Sequence, residues 1–476
     1  MRVMLLSPPY LPLFMRNARW YTKALSGSFW FPIYLAYCTG LLEKYGHQTL
    51  LVDAEASGID HETTYKKARD FKPELVVLYF TVVTLENDME IGRKIRQITG
   101  ARVVLVGPSA SMDPIGTLKK TEGIDLLARG EFDYTVLEIA NGVCRDNIRG
   151  LYWKGKDDSI VENLPRPLVT GKELDSFPFV TDVYRRHLDI RNYCQTAHRH
   201  PFIDLFTGRG CAWGLCTFCL WPHTLNKETV MDDPHEPQSR ASGKTNVYRV
   251  RSMENVIDEL KFIKKELPFV REVFIQDDVL PEDRACELSD GIIGARLRLR
   301  WSCYARPTLK YETMKLMKRS GCRTMHVGYE SGSQKILNNI RKGTLIRDME
   351  RFTRDAHKAG LYIVADFMTG LPGETEETIR ETIDFAVRLP MQRYTITPAM
   401  PYPGTPFYER LKRDGHMKDG RPHYPHMSWE DIVRWNKWSY KRVYLNHRFF
   451  LRMLLKPVEW YRLARSAVYA VPYMFK

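Results

Sequence analysis

Long hydrophobic runs are absent from this chain. No apolar stretch approaches the roughly 20 residues that a membrane-spanning helix needs, and the apolar part of the N-terminus is too short for a signal peptide. Cysteine is sparse as well: the 476 residues contain nine, and an odd number argues against a disulfide framework. Together these absences favour a reduced, cytoplasmic protein over a secreted or membrane-spanning one.

The composition suits a globular protein of more than one domain. At roughly 150 residues per domain the length predicts two or three domains, and an apolar content of 44% supports sizeable cores. The formal charge of +14 comes from 71 basic and 57 acidic residues. An excess of this kind is found in proteins that bind nucleic acid, anionic lipid or phosphorylated ligands, but it also occurs on an ordinary solvated protein surface.

Residues 1–145 alternate all-apolar strand patterns with amphipathic helix patterns, which predicts a Rossmann-like (flavodoxin-like) α/β domain whose parallel sheet is covered on both faces. Ligands of such sheets bind beyond the carboxyl ends of the strands. The residues expected there are mostly small or hydroxylic and let a large flat ligand approach the backbone: Ser7, Pro8, Thr81, Thr84, Gly107, Ser109, Gly130 and Glu131. The alternative is a domain of the same fold that binds nothing or only docks.

Residues 146–200 are predicted to form a linker that contains a hairpin around Lys154–Asp158 and then proline-rich extended chain. From 201 to 410 a second alternating series has six strand–helix units. That number predicts a partial (β/α)6 barrel, and in barrels the reactive residues lie at the carboxyl ends of the strands.

A cysteine-rich loop follows the first strand of this second series: T-G-R-G-C-A-W-G-L-C-T-F-C-L-W-P, with Cys211, Cys216 and Cys219. Zinc normally takes four protein ligands, and no Cys or His pair at zinc-finger spacing stands nearby. A [4Fe–4S] cluster held by only three cysteines leaves one iron open for a substrate or cofactor. A zinc knuckle and three buried thiols are the alternatives.

The loop resembles the cluster-binding loop of radical S-adenosylmethionine (SAM) enzymes, although its C-x4-C-x2-C spacing is one residue longer than their usual C-x3-C-x2-C. G-Y-E-S-G-S, F-M-T-G-L-P-G-E-T and P-Y-P-G-T-P-F-Y-E are also similar to that family. The first half, with S-P-P, S-F-W-F-P, V-G-P-S-A and R-G-E-F-D, resembles the cobalamin-binding domain of its B12-dependent members. Within that family, these sequence segments are most similar to those of hopanoid-associated radical SAM proteins.

This resemblance implies three cofactors: a [4Fe–4S] cluster on Cys211, Cys216 and Cys219, SAM, and cobalamin at the strand ends of the first domain. The D-x-H-x-x-G motif of other cobalamin proteins is absent, so no histidine of that motif is expected to bind the cobalt. The residues expected to bind SAM carry the charges, hydroxyl and ring that its zwitterionic end and nucleoside require: Phe218, Asp277, Ser302, Arg306 and Glu330. For each acid and arginine the alternative is a salt bridge at the barrel rim.

Residues 411–476 are predicted to be helical, basic and aromatic-rich. From residue 434 onward the chain has ten basic residues and one acid. Helices of this type bind membrane surfaces peripherally, and an equally good alternative is that they cap the open side of the barrel. Contact with RNA is possible in principle, but no nucleic-acid motif supports it.

The function that follows from the resemblance is a cobalamin-dependent radical SAM methyltransferase. It would act, through a 5′-deoxyadenosyl radical, on an unactivated carbon of a natural product or lipid-like substrate. A one-electron reductant such as flavodoxin or ferredoxin is the expected partner. The alternatives are a radical SAM cyclase or rearrangement enzyme, a non-catalytic cobalamin or Fe–S sensor, and a zinc-bound RNA-binding protein.

Overall fold

A computed structural model describes residues 1–16, 21–23, 28–220, 248–447, 449 and 451. The first sheet has seven strands in the order β4-β1-β5-β6-β7-β8-β9. Its strands are β1 (Arg2–Ser7), β4 (Gln48–Asp53), β5 (Leu75–Tyr79), β6 (Arg102–Val106), β7 (Leu126–Ala128), β8 (Leu151–Lys154) and β9 (Ile160–Glu162), and a separate hairpin is formed by β2 (Phe14–Arg16) and β3 (Tyr21–Lys23).

The first five strands of this sheet are parallel, which confirms the predicted flavodoxin-like arrangement. Strand order reverses between β1 and β5, and ligands of open α/β sheets bind at such a switch point. The helices of this half are α1 (Ile33–Lys44), α2 (Ala54–Ser57), α3 (His61–Phe71), α4 (Leu85–Thr99), α5 (Pro108–Met112), α6 (Pro114–Lys119) and α7 (Asp133–Ala140).

The hairpin predicted within the linker is present, but it belongs to the first sheet. β8 pairs antiparallel with β7, and β9 pairs antiparallel with β8. Two short helices, α8 (Gly171–Ser176) and α9 (Val180–His187), then lead to the second sheet. The domain limits 1–145, 146–200, 201–410 and 411–476 remain predictions.

The second sheet has six parallel strands in chain order, which confirms the predicted series of six β/α units. Its strands are β10 (Phe202–Leu205), β13 (Glu272–Ile275), β14 (Trp301–Ala305), β15 (Cys322–Glu330), β16 (Tyr362–Thr369) and β17 (Arg393–Pro398). The helices are α10 (Met253–Glu266), α11 (Glu282–Gly294), α12 (Tyr311–Arg319), α13 (Gln334–Asn339), α14 (Ile346–Lys358), α15 (Glu376–Arg388), α16 (Pro406–Arg413) and α17 (Trp429–Tyr444).

The amino-terminal end of the barrel interior is closed by a buried polar network around Glu272. Its carboxylate accepts hydrogen bonds from His198 Nδ1 (2.9 Å), Arg323 Nε (3.0 Å) and the Ser302 hydroxyl. Above it lies a buried aromatic layer in which Trp30, from the S-F-W-F-P segment, packs against Phe274 with ring centroids 4.9 Å apart. Among the described residues, this network and this aromatic layer fill the amino-terminal part of the barrel interior.

Two buried ion pairs join the first sheet's domain to the barrel. They act on a short antiparallel pair, β11 (Gly208–Arg209) and β12 (Arg249–Val250), from which the cysteine loop departs. Arg209 binds Asp133 at 2.7 Å, and Arg249 binds Glu131 at 2.7 Å. A further small pair is formed by β18 (Met417–Lys418) and β19 (Arg421–Pro422).

Helix α17 lies along β17, the edge strand of the barrel. The Tyr444 hydroxyl accepts from Tyr394 N and the Tyr440 hydroxyl from Ile396 N, both at 3.0 Å. These contacts support the capping alternative for this part of the basic C-terminus; residues 452–476 lie outside the described part. Among the described helices, none combines the length and apolarity that crossing a membrane requires.

Candidate functional site

The cysteine loop begins where β10 ends, at the carboxyl side of the barrel. Gly210 and Gly214 have φ values of +93° and +62°, a region that favours glycine, and they turn the chain on either side of Cys211. Cys216 is buried, and Cys211 and Cys219 are partly exposed. The loop thus presents its thiols at the end of the barrel where barrel enzymes carry their reactive groups.

Two cationic side chains lie near the buried thiol. Burial raises the pKa of Cys216, and the nearby Lys342 ammonium and Arg306 guanidinium oppose this rise by favouring the thiolate. Thiolates are the form in which cysteines bind metals. The loop is also fixed by main-chain bonds from Thr217 N to Ile340 O and from Phe407 N to Thr217 O, each 3.0 Å.

Glu330 is the most constrained of the predicted SAM-binding residues. It has a φ of +65° at a register shift in the β15–β16 pairing, a backbone state that costs on the order of 1–3 kcal/mol in a non-glycine residue. Its carboxylate pairs with Lys342 Nζ at 2.7 Å. Gly328 leaves room for this pair, since a Cβ there would lie 2.4 Å from Glu330 Oε1. Strain of this kind is typical of functional sites.

Arg306 lies beside this pair at the carboxyl end of β14. Its Nη2 donates to Lys342 O at 2.5 Å, and its guanidinium stacks 4.6 Å from the ring centre of Trp213 in the cysteine loop. Phe218 is partly buried and packs against the main hydrophobic core. Arg306 and Glu330 therefore lie near the cysteine loop and Phe218 lies within it, and their role in binding SAM stays a prediction.

Two predicted SAM-binding residues have other partners in the structure. Asp277 is buried and accepts from Thr207 N (2.6 Å), the Thr207 hydroxyl (2.5 Å), Gly208 N (3.2 Å) and the Tyr248 hydroxyl (2.9 Å). Ser302 is fully buried and donates to Glu272 in the barrel floor. Asp277 therefore anchors the base of the cysteine loop, and Ser302 belongs to the floor of the barrel. The sequence alone does not show which hydrogen-bond partners these side chains have.

Asp366 is a candidate that the sequence reasoning missed. It lies in β16 opposite Gly328 of β15 and Thr395 of β17. Burial first, and then the nearby Glu330 charge, raise its pKa to about 7, while a hydrogen bond with the Thr395 hydroxyl lowers it. A lone acid in the apolar run Y-I-V-A-D-F-M-T was the available signal.

Exposure along the barrel strands shows where the interior opens. Tyr304 and His326, in the middle of their strands, are buried, whereas residues one layer nearer the carboxyl ends are partly exposed on the same face. These partly exposed residues are Arg306, Gly328, Asp366 and Thr395. The site is therefore a cavity with an aromatic floor, charged walls and the cysteine loop at its rim.

At the carboxyl edge of the first sheet the backbone is shaped by glycines. Gly107 has a φ of +111°, and a Cβ there would lie 3.1 Å from the Tyr79 ring. Gly130 has a φ of +72° and its N donates to Ser111 Oγ at 2.9 Å. Both positions have backbone conformations that favour glycine.

The hydroxylic residues of this edge hold its loops together. Thr81 and Thr84 bond to each other at 2.9 Å, and Ser109 Oγ accepts from Val82 N at 3.1 Å. Between the two threonines, Val82 and Val83 are 51% and 53% exposed. This exposed apolar pair is a feature that the sequence reasoning missed, and it suits the face of a flat organic ligand.

Three other predicted residues of this edge have partners within the protein. Ser7 bonds to Asp53, and the Pro8 carbonyl accepts from the buried Arg16, which pairs with Asp88 at 2.8 Å. The Glu131 carboxylate forms an ion pair with Arg249. Burial alone would raise the pKa of Glu131, but the positive charge of Arg249 outweighs this effect and lowers the pKa. Glu131 thus joins the two domains.

Family models agree with this two-part architecture. Residues 22–140 match the B12 binding domain, and residues 205–386 match the radical SAM superfamily. The chain is a radical SAM enzyme with a B12-binding domain. Its two domains imply a [4Fe–4S] cluster, SAM and cobalamin as cofactors.

Individual proteins support the assignment of this radical SAM enzyme. It is 28% identical over 387 residues to an uncharacterized methyltransferase of Pyrococcus horikoshii, covering 79% of this chain and 78% of the other. It is 23% identical over 410 residues to the anaerobic magnesium-protoporphyrin IX monomethyl ester cyclase of Cereibacter sphaeroides, covering 82% of this chain but only 61% of the cyclase.

The fold is shared with a solved structure of a radical SAM methyltransferase. The radical SAM methyltransferase TsrM from Kitasatospora setae superposes with a TM-score of 0.67 at 19% identity, covering 88% of this chain and 77% of TsrM. This likeness establishes the shared fold of the two proteins.

The cysteine loop of the radical SAM domain supplies three thiols, one fewer than the four protein ligands that zinc normally takes. Within the described residues, no three His, Cys, Asp or Glu side chains come close enough together to hold one metal ion. Three cysteine ligands are the number that leaves one iron of a [4Fe–4S] cluster open.

Proposed function

We propose that this enzyme is a cobalamin-dependent radical SAM methyltransferase whose cluster is held by Cys211, Cys216 and Cys219. The observation that carries the proposal is the cysteine loop beside Arg306 and the Glu330–Lys342 pair, at the open end of a barrel that is joined to a B12-binding domain. When bound, the cofactors supply radical formation and methyl transfer, and the protein positions them and excludes water.

The polar residues around the loop are suited to SAM. Arg306 is held by Lys342 O and Trp213, so its remaining N–H groups are fixed in place and can donate to the methionine carboxylate. Glu330 can accept from the ribose hydroxyls, since its strained backbone and its bond to Lys342 fix its carboxylate at the cavity wall. Phe218 can flank the adenine. Asp277 acts indirectly by holding the base of the cysteine loop, and Ser302 acts indirectly by holding the floor of the barrel.

We place cobalamin at the carboxyl edge of the first sheet. Gly107 and Gly130 allow close approach of the ligand to the backbone, and Val82 and Val83 offer apolar contact to its face. Thr81, Thr84 and Ser109 fix the turn that carries the two valines, Ser7 and Pro8 end the neighbouring strand, and Glu131 ties this edge to the barrel.

The substrate is proposed to be a natural product or lipid-like molecule with an unactivated carbon. The cavity supports this class because its floor is aromatic, formed by Trp30, Phe274, Tyr304 and His326. A one-electron reductant such as flavodoxin or ferredoxin is the proposed partner. Cyclisation without methyl transfer is a second candidate because of the similarity to the magnesium-protoporphyrin cyclase. Peripheral membrane contact is proposed only for the basic residues beyond α17.

Anaerobic reconstitution tests the proposal without a known substrate. The full chain is loaded with iron, sulfide and cobalamin and incubated with SAM and dithionite. We expect both 5′-deoxyadenosine and S-adenosylhomocysteine, and the Cys211→Ala/Cys216→Ala/Cys219→Ala variant should form no 5′-deoxyadenosine. 5′-Deoxyadenosine without S-adenosylhomocysteine would favour the cyclase, and neither product would favour a sensor.

A further inference from the structure

Trp213 lies inside the cysteine loop, in the gap between Cys211 and Cys216 that is one residue longer than usual. Its indole Nε1 donates to Arg341 O at 2.9 Å, which docks the loop on the turn after α13. The face of the same ring stacks with Arg306, whose guanidinium carbon lies 4.6 Å from the ring centre. One side chain thus contacts both the turn and the arginine.

The turn is shaped to receive this ring. Gly343 has a φ of +66°, and a Cβ at this position would lie 2.0 Å from Trp213 Cζ2. Arg341 also adopts a positive φ, +51°, which aims its carbonyl at the indole N–H. No larger residue than glycine can therefore occupy position 343 while the indole stays in place.

The same turn carries the groups that line the site. Lys342, between Arg341 and Gly343, pairs with Glu330 at 2.7 Å, and its carbonyl accepts from Arg306 Nη2 at 2.5 Å. The ring of Trp213 is consequently in contact with Arg306 and one residue away from Lys342, the two cations that favour the thiolate of the buried Cys216.

We propose that Trp213 is a positioning residue that fixes the cysteine loop, Arg306 and Lys342 in the relative arrangement that binds SAM. The inference rests on the proposed function and extends it to a residue that binds no cofactor itself.

The test uses the full chain, anaerobically reconstituted, with SAM as the probe. Trp213→Ala should assemble a cluster, because the three thiols remain, but bind SAM about tenfold or more weakly, the combined effect of a lost cation–π contact and hydrogen bond. The change that SAM causes in the electron paramagnetic resonance spectrum of the reduced cluster should shrink accordingly. Trp213→Phe keeps an aromatic ring beside Arg306, and its SAM affinity should lie between those of wild type and Trp213→Ala.

Two further variants separate positioning from general packing. Gly343→Ala should reproduce the Trp213→Ala spectrum although it leaves the indole in the sequence. Trp429→Ala removes an indole that also stacks with an arginine, Arg421 at 5.4 Å, and should leave SAM binding unchanged.

Wild-type SAM affinity and spectra in both Trp213→Phe and Gly343→Ala would overturn the inference, even if Trp213→Ala failed to fold. A loss of SAM affinity in Trp429→Ala equal to that in Trp213→Ala would overturn the inference as well. A wild-type chain that assembles no cluster would instead refute the proposed function.

Discussion

At the scale of single residues, Glu330 and Asp366 show how neighbours decide what a carboxyl group does. The two acids lie on adjacent strands and face the same cavity. Glu330 has a lysine partner at 2.7 Å, whereas Asp366 has the Thr395 hydroxyl and, among the described residues, no ion pair. The pKa of about 7 lets Asp366 exchange a proton near neutral pH, which is the property that acid–base groups require.

This difference predicts a pH-dependent stability. An unfolded aspartate has a pKa of about 3.9, so between about pH 4 and 7 folded Asp366 keeps a proton that the unfolded chain has lost. The free energy of unfolding should therefore fall as pH rises through this window. Asp366→Asn stays neutral, and we expect it to be more stable than wild type at pH 8, by on the order of 1–3 kcal/mol after allowance for partial exposure.

Denaturant unfolding of the cluster-free chain at pH 5 and pH 8 would measure the effect. Asp384→Asn, at an exposed helical position, is the control and should follow wild type at both pH values. Equal stabilities of Asp366→Asn and wild type at pH 8 would show that the carboxylate is solvated in the folded chain.

At the scale of elements, α17 replaces a missing strand. A partial barrel leaves the backbone groups of β17 exposed along one edge, and exposed edges pair with other chains. In this protein the side chains of α17 cover that edge: Tyr440 and Tyr444 accept from its N–H groups, and Asn436 Nδ2 donates to Ile396 O at 2.9 Å. The two tyrosines of this helix thus cap the edge strand of the barrel.

Removing either hydroxyl should leave a main-chain N–H without its partner. We expect Tyr440→Phe and Tyr444→Phe each to lower the free energy of unfolding by about 1–3 kcal/mol, the usual range for a buried donor left unsatisfied. Tyr45→Phe, on a side chain that is 52% exposed, is the control in thermal and denaturant unfolding. If all three variants behaved alike, the edge would be hydrated and not capped by the tyrosines.

At the scale of the whole molecule, the two cofactor domains are joined by buried charge. Arg209–Asp133 and Arg249–Glu131 connect the R-G-E-F-D segment after β7 to the strands from which the cysteine loop departs. A buried ion pair contributes little relative to an apolar pair, but the loss of one partner leaves an uncompensated charge. These pairs therefore fix the orientation of one domain relative to the other.

Arg249→Met should accordingly destabilise the protein by about 3–5 kcal/mol, because Glu131 is left buried and unpaired. The double variant Arg249→Met/Glu131→Leu should recover much of this loss. Scanning calorimetry would measure both, and we expect the single variant to separate the unfolding of the two domains. An additive effect of the two substitutions would mean that the pair is not coupled.

The strands of both sheets could be predicted because their apolar runs are local features. The six barrel strands occur in the predicted number and in chain order, and the polar residues after them lie at one end of the barrel, as their positions imply. The hairpin β8–β9 was placed in a linker because its residues do not encode which sheet they join; pairing with β7 decides that.

The sequence by itself determined the two α/β halves and the three-thiol loop, because hydrophobic periodicity and ligand spacing depend only on neighbours along the chain. The cofactors followed from its resemblance to cobalamin-dependent radical SAM enzymes. Only the tertiary structure decided which charges remain for a ligand. Asp277, Ser302 and Glu131 are satisfied by groups 29 to 118 positions away, while Asp366 and the Trp213 contact with Arg306 come from strands and turns that meet only in the folded barrel. Side-chain partners are set by distance in space, and a linear pattern does not contain that distance.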